Sequence, residues 1–156
     1  MLVEEIAHKL ERAATGLVHL KNMPIPIFTI MPDFGGAYGW RKGNNDNAGV
    51  GSNHADTVGW YDKTGISQSL HEQFAAWQSE FESAGMANRE FADFDWVDYH
   101  RRGILLSHLL KAELGEQAVI IYEKAFEDPC HHDAERREIL TGGDIRILPR
   151  RDMQTK

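Results

Sequence analysis

Leu2, Ile6, Leu10, Ala13, Leu17 and Leu20 recur every three or four positions, the spacing that gathers apolar residues on one face of an α-helix. The pattern predicts a helix over 2–21, stopped by Pro24 and Pro26. Ile25, Ile27, Phe28 and Ile30 then read as a short strand bounded by Pro32. A second helical stripe runs through Leu70, Phe74, Trp77 and Phe81, with Ser67 or Ser69 as its cap and Gly85 as its stop; Ser69 and Glu72 have capping-box spacing. A third runs through Trp96, Tyr99, Gly103, Leu106, Leu110 and Leu114, capped by Asp93 or Asp95 and closed by Gly115. These predict helices near 67–84 and 95–114, with Trp77, Phe81, Trp96, Leu106 and Leu110 at the centre of a core. A glycine inside a helix costs about 1 kcal/mol against alanine, so Gly103 implies the close approach of another backbone.

Ala118 to Tyr122 is the clearest strand, following the third helix after a short turn. The polar stretch from Glu127 to Leu140 reads as a loop with a short helix. Thr141, Gly142 and Gly143 read as a turn, and Ile145 to Ile147 as an edge strand ending at Pro149. Between Asp33 and Gly65, eight glycines and Asn44, Asn45, Asn47 and Asn53 break every apolar run. This is turn chemistry, with short strands expected around 37–40 and 57–61. The sum is an α+β fold: about three main helices packed on a small, mainly antiparallel sheet. The expected organisation is a single domain over 1–156, with 149–156 a flexible basic tail.

Composition narrows the classes. At 156 residues, with four Trp, seven Phe and four Tyr, the chain can build a core without a disulfide or metal staple. Cys130 is the only cysteine, so neither an intrachain disulfide nor a cysteine-based zinc set is available. The net charge of −7 disfavours nucleic acid as a partner. No apolar run approaches the roughly 20 residues of a membrane span, and the mixed N-terminal segment lacks a signal-peptide core. The expectation is a cytoplasmic protein without a membrane partner.

The candidates for chemistry are few. Cys130, His131, His132 and Asp133 are all metal-ligand types, but adjacent residues seldom converge on one ion, and a solvated helix start is the plainer reading. His100 and His108 lack the i, i+4 spacing that suits helical metal sites and, with His71, read as surface or boundary residues. Asn44 to Gly49 lacks the acids and closing glutamate of a calcium loop. Nucleophile-elbow, Walker and dinucleotide-binding motifs are all missing from the sequence. No cofactor is expected. Trp40, Trp60 and Tyr61 stand outside the helix stripes, as interface anchors or as core plugs. Between Glu72 and Asp98 there are seven acids against one base, Arg89. Within that run Glu80, Glu82, Glu90 and Asp93 suggest a face for a basic partner.

Two segments carry a family likeness. Gly65-Ile66-Ser67, Leu70, Trp77-Gln78 and Phe81 form the first. Phe94-Asp95-Trp96, Tyr99, Gly103, Leu106, Leu110-Lys111 and Glu113-Leu114-Gly115, with the strand through Tyr122, form the second. Together, over roughly 65–122, they resemble the small acidic immunity proteins of bacterial contact-dependent inhibition and type VI secretion toxin systems. The resemblance implies a non-enzymatic monomer or dimer that binds and neutralises a cognate toxin domain, a basic one given the acidic run. No family site residue is carried over. The partner face expected here is Trp40, Trp60, Tyr61, Glu80, Glu82, Glu90 and Asp93. The alternatives are a small metal-binding or hydrolytic enzyme built on Cys130, His131, His132 and Asp133, and a structural subunit of a larger assembly.

Overall fold

The computed structural model describes residues 4–11, 25–41, 52–53, 66–86, 90–130 and 136–149. Residues 4–11 are helical (α1). Strands β1 (Ile27–Ile30), β2 (Gly39–Arg41) and β3 (Ser52–Asn53) follow. Then come helices α2 (Gln68–Gly85) and α3 (Trp96–Leu114) and strands β4 (Val119–Tyr122), β5 (Arg136–Ile139) and β6 (Ile145–Leu148). The six strands form one sheet in the order β3-β2-β1-β4-β5-β6. Only β1 and β4 run parallel; the other four pairings are antiparallel. A parallel pair needs a long crossover, and α2 and α3 lie within the connection that makes it. The fold is α+β, with a mixed, mostly antiparallel sheet.

The helices begin and end for local reasons. Ser67 caps α2, its hydroxyl accepting from the Leu70 amide at 3.2 Å, so the cap is Ser67 and not the Ser69 box. Asp95 caps α3 by accepting from the Asp98 amide at 3.0 Å. Gly115 closes α3 at φ +58. Lys111 is buried there, donating to the Ala118 carbonyl at 2.7 Å, which ties the helix end to the start of β4. Trp77, Phe81, Leu106 and Leu110 are core residues as expected, while Trp96 is only partly buried at its margin. What comes close at Gly103 is a pair of side-chain rings and not the backbone that was expected: a Cβ there would stand 2.5 Å from Trp77 Cζ2 and 2.7 Å from Tyr122 Cε2.

Three expectations need correction. The segment 127–140 holds strand β5 where a loop and short helix were expected, because its pairing with β4 and β6 overrides a polar composition. His100 is buried, not superficial. In α1 the stripe residues Ile6 and Leu10 are 52% and 66% exposed, so the spacing there predicts helix without predicting burial. The remainder of the 2–21 helix, the 57–61 strand and the tail beyond 149 lie outside the described residues.

Candidate functional site

Tyr122 ends β4 beneath α3, and the bare Gly103 lets its ring slide against the helix. Its hydroxyl reaches His100, one turn into α3, at 2.7 Å from Nδ1. The chain then turns through 126–130 and brings Asp128 Oδ2 to 2.7 Å from His100 Nε2. Asp128 Oδ1 accepts from the Cys130 amide at 2.8 Å. His100, Tyr122 and Asp128 are all buried.

A carboxylate can only accept, so Nε2 carries the imidazole proton, and the neutral ring accepts at Nδ1 a hydrogen bond donated by the Tyr122 hydroxyl. Burial holds the His100 pKa below the ordinary histidine value. The Asp128 hydrogen bond opposes that shift, and the nearby Lys124 and Arg137 charges reinforce it. Burial likewise pushes the Tyr122 phenol up. Both imidazole nitrogens are therefore used inside the fold, and the His100 ring offers no free nitrogen lone pair to take a proton from a bound molecule.

His100 and Asp128 instead line a groove of about 430 Å³. Its apolar side is made by Trp96, Ile104 and Leu105 of α3, with Trp96 stacked on His100 at 5.6 Å between ring centroids. Its polar side holds Asp128 and Lys124 from the segment after β4, and Arg137 from β5. Cys130 lines the same groove and is exposed. His131, His132 and Asp133 lie outside the described residues, among which no group of three or more metal-ligand side chains converges.

The expected partner residues divide. Glu80 is bound by both terminal nitrogens of Arg102, at 2.6 and 2.7 Å, and Arg102 also holds Asp98 at 2.8 Å. Glu82 accepts from the Gly35 amide at 2.9 Å. Glu80 and Asp98 have counter-ions that a count confined to 72–98 omits, since Arg101 and Arg102 lie just beyond it, while Glu82 is met by a backbone amide. Glu90 and Asp93 are different. Both are exposed, and among the described residues neither makes an ion pair or side-chain hydrogen bond. They sit in a turn where Glu90, Phe91 and Asp93 have φ of +43, +60 and +55. Trp40 lies on β2, partly buried, its indole N–H donating to the Met31 carbonyl at 2.9 Å. Trp60 and Tyr61 lie outside the described residues.

Sequence reasoning did not find Arg137, Lys124 or Asp128. The available signal was the symmetry of 136–139 and 145–148 about a Thr-Gly-Gly turn, which reads as a hairpin. Among the described residues no helix is long and apolar enough to cross a membrane. Comparison with protein-family models, with curated proteins and with solved structures gives no match.

Proposed function

We propose that this chain is a binding protein of the immunity type, which neutralises a cognate toxin domain by occupying a basic surface on it. The observation that carries the reading is the turn at 90–93. Three residues other than glycine hold left-handed backbone there, a conformation that costs of order 1–3 kcal/mol per residue and persists only when the surroundings enforce it. The enforcement comes from Phe91, which packs against Phe34, Phe81, Phe94 and Trp96 at centroid distances of 5.0 to 6.2 Å. Glu90 and Asp93 are thereby displayed on a fixed backbone, and among the described residues neither has a counter-ion. Met86 and Val97, 57% and 82% exposed, flank the turn in sequence and supply apolar contact area. Acids amid apolar residues suit a basic partner, whose approach they would accelerate.

The test is co-expression with the toxin domain encoded in the adjacent reading frame. The parent chain should form a complex and protect the cell. Intact toxicity with no complex would sink the proposal.

A further inference from the structure

We propose that the groove between α3 and β5 binds a small organic carboxylate with an apolar body, whose acid group is met by the Arg137 guanidinium. The case begins with register. Ile120 pairs with Ile139 and Tyr122 with Arg137, and directly opposed residues point to the same face of a sheet. Ile120, Tyr122 and Ile139 are at most 1% exposed in the core beneath the helices. Arg137 thus occupies a position that the alternation assigns to an apolar residue. It is half-buried, and among the described residues its side chain makes no hydrogen bond or ion pair. A charge withdrawn from water without a partner is costly.

Among the described residues the neighbouring groups do not offer one. Asp128 is the only acid among the described residues that line the groove, and each of its oxygens already accepts a hydrogen bond, from His100 Nε2 and from the Cys130 amide. The other β5 ions are used on their own account: Glu138 holds Arg146 at 3.2 Å, and Arg136 donates to the Pro149 carbonyl at 3.0 Å. Arg101 is held by Asp98 at 2.6 Å. In a chain of net charge −7, the described residues of the groove include three cations, Arg101, Lys124 and Arg137, against one acid. Its shape supplies the rest. A volume of about 430 Å³ falls in the range of roughly 300–1,000 Å³ typical of small-molecule sites, which pair an apolar lining with a few placed polar groups. Trp96, Ile104 and Leu105 provide that lining, and a planar guanidinium recognises a carboxylate through two parallel hydrogen bonds.

The inference does not depend on the toxin-binding reading, and its test uses the isolated chain. Naphthoate and its neutral counterpart naphthalenemethanol are titrated into the parent protein, Arg137→Gln and Arg137→Lys by calorimetry. The parent should prefer the acid by about tenfold or more, as expected for a hydrogen bond to a charged group. Arg137→Gln should lose that preference while still binding the alcohol, and Arg137→Lys should keep part of it. Thermal unfolding of each variant establishes that the groove is intact. Equal binding of acid and alcohol by the parent, no binding of either, or a full acid preference in folded Arg137→Gln would each overturn the proposal. The comparison of the two probes on the parent needs no variant to fold.

Discussion

Gly103 and His100 each carry a consequence that a single substitution exposes. An added Cβ at 103 would stand 2.5 Å from Trp77 Cζ2, 2.7 Å from Tyr122 Cε2 and 2.8 Å from the Tyr122 hydroxyl. Neither ring can retreat easily: Trp77 is stacked on Tyr99 at 4.6 Å and donates to the Tyr99 carbonyl at 3.1 Å, while Tyr122 is held by His100. Overpacking costs about 1–3 kcal/mol, against a helix-propensity gain of about 1 kcal/mol. Gly103→Ala should therefore lower the urea midpoint, and an unchanged or higher midpoint would contradict the close approach. His100 makes a prediction in pH. Its folded-state pKa lies below the ordinary value because burial disfavours the imidazolium. The unfolded chain then binds the extra proton first as pH falls. The stability contributed by the neutral, buried ring is fully present above about pH 6.5 and is lost progressively as pH drops toward the depressed value. The unfolding free energy of the parent minus that of His100→Gln should accordingly decline between pH 7 and 5, by no more than about 1.4 kcal/mol per pH unit. A difference that stays level across that interval would mean that His100 is not held neutral.

At the scale of elements, α2 and α3 are locked where the start of one meets the end of the other. Ser67 caps α2 and also donates its amide and hydroxyl to the Glu113 carboxylate, at 2.6 and 2.7 Å. Ser67→Ala should cost about 1–2 kcal/mol, the loss of a cap. A double-mutant cycle with Glu113→Gln should show a coupling of about 0.5 kcal/mol or more; strictly additive losses would mean that the two residues act separately. Both long helices and the Gly115 stop were legible in the sequence because they rest on local spacing, whereas the caps were narrowed only to Ser67 or Ser69 and to Asp93 or Asp95, a choice that the backbone at each helix start decides. The strand at 119–122 was legible for the same reason, as an apolar run between two breaks. Strand β5 was not, because Arg136, Arg137 and Glu138 carry no strand signature until Tyr122 and Ile147 pair with Arg137. His100 was misplaced on the same ground. Its partners lie 22 and 28 residues away, and no periodicity along α3 announces them. The groove is built almost wholly of such distant pairings, so its residues escaped a reading that worked element by element.

For the whole molecule, the distribution of charge matters more than its sum. The net charge of −7 and the acid-rich run suggested one broad negative face, but the fold consumes part of it. Glu80 and Asp98 are bound by Arg102, and Glu82 caps the amide of Gly35 across to the loop after β1. Among the described residues, Glu90 and Asp93 on their strained turn make neither an ion pair nor a side-chain hydrogen bond. The two pairs of acids should therefore behave differently when reversed. Glu90→Lys with Asp93→Lys should leave the contacts between elements intact and lower the unfolding midpoint only modestly, through the left-handed backbone at 90 and 93. The same pair should slow association with the cognate toxin domain and flatten its salt dependence, as the loss of steering charges does. Glu80→Lys with Glu82→Lys should instead lower the midpoint by breaking contacts between elements, and should slow association less at low salt. Stopped-flow association at two ionic strengths, beside denaturation of both variants, separates the cases. Should the 90/93 reversal associate as fast as the parent at low salt, the turn is a solvated corner, and the partner face must be sought on another surface, with the exposed apolar residues of α3 the next to test.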